Sequence, residues 1–340
     1  MPGETESLVR HRETGLILSS MQGKAGPQLL RTALLSGRIE RIVRGVYVAA
    51  ANRRSHDAYL LLAMAIGLTN GAAIVTGPAA AAIMGFAFLA PADGRVDVLA
   101  VGTKDRRRGR TVNRRAVKTI GTPYIARGVR ITSPARTALE TCVLHGIRDG
   151  LVVVESMMWK RTCDAATLSE EMLAMGRRRG IDMARRVLAL ASDRSQSPGE
   201  SLVRWCIDRA GLPQPLQQVA IYDRHGNWLA VVDFLWPDLG LVIEFDGLVK
   251  TSGQFGDPVQ VARNQLERQE NLLHAGLRVV RLKWGDVVSG KCIAMLIEVH
   301  RQHRRRGSDF TGHHRLVDVT AKQGCSGVAT MLSATLTHPE

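Results

Sequence analysis

The chain has 340 residues, a formal net charge of +15 and a hydrophobic content of 45%. That length and apolar content support two or three domains with real cores, and the positive balance favours a polyanionic partner. Five cysteines without a C-x-x-C pair exclude a zinc ribbon or disulfide framework, and an aromatic fraction of 4% argues against a stacking platform for single strands.

The elements, taken in order, predict an α/β chain of α+β multidomain type. Residues 1–13 are polar and read as a mobile N-terminus without a signal peptide. Gly15 to Ala25 reads as a short helix and turn, and Pro27 to Leu35 as a second helix closed by Gly37. Arg38 to Val48 reads as a hairpin. Together they predict a winged helix over 14–50, with Arg31, Arg38, Arg41 and Arg44 placed for phosphate contacts.

Residues 55–191 predict a mixed α/β middle domain. Ser55 caps a helix through Ile66. The uncharged stretch Gly71 to Pro91 is broken by Gly77-Pro78, so it predicts a buried strand–turn–helix rather than a membrane span. Val96 to Val101 reads as a strand. Eight basic residues and one acid lie between Lys104 and Lys118, among them Arg107 and Arg108, a candidate nucleic-acid surface. Ser133-Pro134 starts a helix ending near His145, and further helices are expected near 149–160, 167–176 and 181–191.

Residues 192–198 read as a linker to a domain over 199–303, and 304–340 as a disordered tail. A helix starts at Ser197-Pro198. The four residues Pro237-Asp238-Leu239-Gly240 then close a hairpin in which Trp236 faces Leu241. Counted back from that turn, Asp233 lands opposite Glu244, and Asp246 shares Glu244's face. At ~5 Å and an effective dielectric of about 20, one such pair repels by roughly 3 kcal/mol. A proton, a base or a divalent cation must relieve it, and all-oxygen ligands suit magnesium or manganese. Asp233, Glu244 and Asp246 are therefore the candidate metal ligands. Glu200 closes a Ser-x-x-Glu capping box at the helix start. Lys250, in the loop after the hairpin, and Arg268, on the helix expected from Pro258 to Ala275 and suited to a phosphate contact or to pairing with one of these acids, complete the candidate set.

Several of these residues fall in a family pattern. Ser197-Pro-Gly-Glu200, Val232-Asp233-Phe, Ile243-Glu-Phe-Asp-Gly247, Arg268 to Glu270 and Gly276 to Arg281 resemble the endonuclease-like domain related to very-short-patch-repair enzymes, of the PD-(D/E)XK superfamily. Residues 14–50, Gly77 to Phe86 and Thr132 to Leu139 resemble AbiEi-type antitoxins; such fusions are familiar in actinobacteria. The resemblance implies a restriction-endonuclease-like mixed sheet with flanking helices. It also implies Mg²⁺ or Mn²⁺ on Asp233 and Glu244, catalytic roles for Glu200 and Lys250, and double-stranded DNA as substrate. A toxin or defence-system partner follows from the same likeness, while the unpaired cysteines fit reduced thiols in a cytoplasmic setting and the broken apolar stretch argues against membrane contact. Where the family carries acid–x–Lys, this chain has Glu244-Phe245-Asp246, and Gln265-Leu266 stands where the subgroup places an acid–Lys pair. Those departures keep a second reading open: a catalytically inactive, DNA-binding transcription regulator of antitoxin type.

Overall fold

The computed structural model describes residues 8–71, 73–102, 108–117, 120–247 and 258–318. The described chain divides into two units, 8–190 and 191–318.

The first unit opens with β1 (Ile17–Leu18), a 3₁₀ turn (Ser19–Met21), α1 (Gly26–Leu35) and the hairpin β2 (Ile39–Val43) and β3 (Val46–Ala49). The expected first helix is thus a short strand and one tight turn. Ile17 and Leu18 pair with Tyr47 and Val46, which puts β3 in the middle of a sheet of order β1-β3-β2. Long-range pairing overrides the local helical reading there. Leu8, Ile17, Leu30, Ala33 and Ile39 form the small core, so the segment read as a mobile N-terminus is anchored from Leu8 onward.

The same unit continues with α2 (Ser55–Thr69), β4 (Ile74–Val75), α3 (Gly77–Ile83), β5 (Val96–Val101), β6 (Val112–Val117), β7 (Tyr124–Ala126) and β8 (Val129–Ile131). These strands form a mixed sheet of order β6-β5-β4-β8-β7, in which β5/β6 and β4/β8 run parallel. Helix α3 is buried at every position, because alanines let it lie flush against its neighbours. Among the described residues no helix is long and apolar enough to cross a membrane. Three helices follow: α4 (Pro134–Trp159), α5 (Ala165–Met175) and α6 (Ile181–Leu190). The Ser133 hydroxyl caps α4 by accepting from the Arg136 N–H at 3.2 Å. Helix α4 joins two of the expected helices, with a break at Gly146 (φ 85°) immediately after His145.

The second unit is a sheet of order β12-β11-β10-β9-β13 with helices around it. In chain order it contains α7 (Pro198–Arg209), β9 (Leu216–Tyr222), β10 (Trp228–Trp236), β11 (Leu241–Asp246), α8 (Pro258–His274), β12 (Arg278–Lys283), α9 (Trp284–Ser289), α10 (Cys292–Arg306) and β13 (His313–Leu316). The β10–β11 turn is a 3₁₀ turn over Pro237–Leu239 closed by Gly240 in the left-handed region, and its rungs are Trp236↔Leu241, Leu235↔Val242 and Phe234↔Ile243. Strand β12 adds parallel to β11 through the α8 crossover. One core cluster packs Val219, Ile221, Val232, Leu235 and Val242 of the sheet against Leu272 and Leu277.

Of the segment 304–340, read as a disordered tail, residues 304–318 are ordered, and the rest lies outside the described residues. Helix α10 runs to Arg306, and β13 pairs antiparallel with β9. The chain reaches β13 by passing over Gly276, whose ideal Cβ would lie only 2.0 Å from the Asp309 carbonyl oxygen and whose φ is +85°. Only glycine permits that crossing.

A candidate carboxylate site at the open end of the hairpin

The site lies where β10 and β11 part, at the end of the hairpin away from its turn. By the observed register the next rung would pair Asp233 with Glu244, as the turn length implies. The paired rungs stop at Phe234↔Ile243, and there Asp233 Oδ2 accepts the Phe245 N–H at 2.9 Å. A side-chain carboxylate thus takes the place of a backbone carbonyl and holds the strand ends in position.

Glu244 is 8% exposed and faces α8. Its Oε1 accepts from an Arg268 terminal nitrogen at 2.5 Å, and Arg281 Nε lies 3.5 Å from its Oε2. Arg268 also donates to the Val231 carbonyl at 2.6 Å. Arg281 is held in place by the parallel register, in which it is the partner of Glu244. A base therefore neutralises this carboxylate, as charge repulsion requires.

Glu200 reaches the site from the first turn of α7. Its N–H donates to Ser197 Oγ at 3.2 Å, so the capping geometry is real. The return bond of the capping box differs: Glu200 Oε2 accepts the N–H of Gln196, one residue upstream of the cap, at 3.0 Å. Ser197 Oγ–H donates to Oε1 at 2.8 Å, and Gln218 Nε2 donates to Oε2 at 3.0 Å. Burial, and secondarily the negative charge of Asp233, push the Glu200 carboxyl up to about 7, against those three donors. Here a proton relieves the like-charge pair near neutrality.

Gln218 is a functional candidate that the sequence reading missed. It is buried in the middle of β9, yet its φ is +53°. The flanking rungs Val232↔Val219 and Phe234↔Gln217 place it opposite Asp233. A non-glycine residue held in that region costs about 1–3 kcal/mol, and such strain clusters at functional sites. A signal was present: Gln217-Gln218 interrupts an otherwise apolar strand. Gln217 turns to Ser195 and Arg204 instead. On α7, Gly199 lets the Phe245 ring approach, since an ideal Cβ there would lie 2.1 Å from ring carbons. Phe245 thus leans toward α7 while its neighbour Glu244 leans toward α8, on the alternate face of the strand.

Asp246 ends β11 beside Lys283 in the parallel ladder and makes no hydrogen bond or ion pair among the described residues. Lys250 and Arg107 lie outside the described residues. Among the described residues, no three His, Cys, Asp or Glu side chains gather as a group that could hold a metal. The available donors are all carboxylate oxygens, which suit a hard divalent cation, but Glu244 can offer them only once Arg268 moves away. Of the other candidates, Arg31, Arg41 and Arg44 are exposed in the first unit, and Arg38 is half-buried with its Nε bonded to Ser36 Oγ at 2.9 Å. Arg108 is exposed and paired with Asp93 at 3.2 Å.

No family model matches the chain. It is similar to two curated proteins of Mycobacterium tuberculosis, "Uncharacterized protein MT2308" (strain CDC 1551 / Oshkosh) and "Uncharacterized protein Rv2248" (strain ATCC 25618 / H37Rv). Each is 30% identical over 156 residues, 46% of this chain and 55% of the relative. The chain thus spans about half the length of the curated relatives it matches. The RV2827C protein from Mycobacterium tuberculosis, known from a crystal structure, superimposes over 59% of this chain and 78% of its own, with a TM-score of 0.34 and 14% identity.

Proposed function

We propose that this chain is a metal-dependent DNA endonuclease carrying its own DNA-binding module. The observation supporting this reading is the placing of Glu200 of α7, held by a strained Gln218, beside Asp233 at the open end of the hairpin. A carboxyl pushed to about 7 beside an acid is suited to exchanging a proton at neutral pH. Asp233 and Glu244 would hold Mg²⁺ or Mn²⁺, with Asp246 at the rim. When bound, such an ion supplies charge stabilisation on a phosphoryl oxygen and lowers the pKa of water. Glu200 would carry the proton that water loses. Arg268, released from Glu244, would neutralise the phosphate, and Lys250 is assigned the same task. Arg31, Arg38, Arg41 and Arg44 would add salt-dependent, largely sequence-independent affinity. A cytoplasmic setting in defence or repair, with a toxin or defence-system partner, belongs to the same proposal.

The two guanidinium groups on Glu244 favour the second reading, a DNA-binding regulator of antitoxin type whose nuclease fold is silent. Nicking of supercoiled plasmid with Mg²⁺ or Mn²⁺ separates the two. The endonuclease reading expects nicking that EDTA, Asp233→Ala and Glu244→Ala each abolish while gel-shift affinity persists. Wild type that shifts DNA but nicks no more than Asp233→Ala establishes the regulator instead.

A further inference from the structure

A second cluster lies in the first unit and is independent of the carboxylate site. A cavity of about 560 Å³ is lined by Asp93, Arg108, Asn113, Arg115, Leu144 and His145 among others. Behind its wall sits Asp97 on β5, 0% exposed. Both of its oxygens are used: Oδ1 accepts from Arg115 Nε at 3.2 Å, and Oδ2 bonds His145 Nε2 at 2.7 Å. One buried carboxylate therefore aims a guanidinium and an imidazole from different elements, the edge strand β6 and the end of the first half of α4.

The parallel register explains the placement. Asp97 is paired with Asn113, so Asp97, Asn113 and Arg115 share one face of the β5–β6 pair. Helix α4 breaks at Gly146, so His145 stands at the end of a helical segment directly over that face. Neutralising Asp97 needs only one charge. Arg115 spends Nε on it, and its two terminal nitrogens make no hydrogen bond among the described residues. Arg108 reaches the same cavity from the rim. Its acidic partner there, Asp93, is also bonded by Arg95 at 2.9 Å, which keeps that carboxylate neutralised when Arg108 turns inward. The cavity wall thus carries more positive than negative charge and presents a guanidinium fork, the geometry that matches phosphate oxygens.

We propose that this cavity is a phosphate-binding site, with Arg115, His145 and Arg108 as the ligating side chains and Asp97 as the buried carboxylate that positions the first two. The shared ligand chemistry is a phosphate group with free non-bridging oxygens, carried either by a nucleic-acid backbone or by a small phosphate ester.

The test follows the ring signals of His145 in the intact protein labelled at histidine, with the resonance assigned by its loss in His145→Gln. Inorganic phosphate at millimolar concentration is expected to shift that signal in a saturable way, and sodium chloride of equal ionic strength is not. Arg115→Lys keeps a charge beside Asp97 but removes the fork, and should weaken phosphate about tenfold. Arg108→Gln changes an exposed side chain and should weaken it about threefold, so a decision remains available if the Arg115 variant folds poorly. Titration with a short DNA duplex and with AMP then assigns the source: the probe that saturates at the lower concentration carries the natural phosphate. A His145 signal that phosphate moves no more than chloride does overturns the proposal. So does full wild-type affinity in both arginine variants.

Discussion

Glu200→Gln is the most direct probe of the carboxylate site, because it tests the electrostatics without assuming an activity. The buried carboxyl has a pKa of about 7 in the folded chain against an ordinary 4.5. The native state therefore keeps a proton that the unfolded chain releases as pH rises from 4.5 to 7, and stability falls across that window. Above it both states are ionised and the loss is constant, about 3 kcal/mol at 1.36 kcal/mol per pKa unit. Glutamine is neutral and fits the same donors. Its carbonyl can replace Oε2, which accepts from Gln196 and Gln218, and its NH₂ can face Ser197 Oγ, which has a second lone pair. The variant should match wild type at pH 4.5 and exceed it by about 3 kcal/mol at pH 8. Urea unfolding followed by tryptophan fluorescence reads this out well, since Trp205, Trp228, Trp236 and Trp284 lie in the second unit and only Trp159 in the first. A stability difference that does not grow with pH, or a variant weaker than wild type at pH 8, would refute the assignment of burial and Asp233 as the causes.

Further outcomes follow from the same geometry. Arg268→Ala leaves the buried Glu244 with Arg281 alone and should cost about 2 kcal/mol of second-unit stability, most of it recovered in the double variant with Glu244→Gln; urea midpoints at neutral pH check both. Gly276→Ala places a Cβ against the Asp309 carbonyl at a positive φ and should cost about 3 kcal/mol, with hydrogen exchange quickening first in β13. Burial pushes the Cys142 and Cys163 thiols up to about 12, so neither should react with iodoacetamide at pH 8 in the native chain, whereas both should react in urea. Peptide mapping by mass spectrometry would reveal any native labelling.

What could be read from the sequence was local. The four residues Pro237 to Gly240 fix a turn, and the turn fixes the register as far as Trp236↔Leu241, because strand pairing simply counts back from it. The caps at Ser133 and Ser197 were readable for the same reason: a hydroxyl before Pro at the first helical position has a single favourable use. What stayed hidden depends on partners distant in the chain. His313–Leu316 is exposed at every position and polar except at Leu316, and is a strand only because β9 offers it an edge. Ile17–Leu18 is a strand only because β3 does. A pairing of Arg268 with one of the acids was within reach of the sequence, whereas the second base on Glu244, Arg281, was not, since β12 is brought to it by a crossover. The backbone inversion at Gln218 leaves no compositional mark beyond two polar letters in an apolar run.

The pairing of β13 with β9 bears on how the molecule is made. During synthesis β9 and its hairpin partner leave the ribosome well before β13, so the nascent sheet carries an open row of unpaired amides while α8, β12 and α10 are still being added. An uncovered strand of that kind invites pairing with a neighbouring nascent chain. Expression at high ribosome density on one message should therefore favour aggregates, and slowing initiation should improve the soluble yield more than lowering temperature after synthesis does.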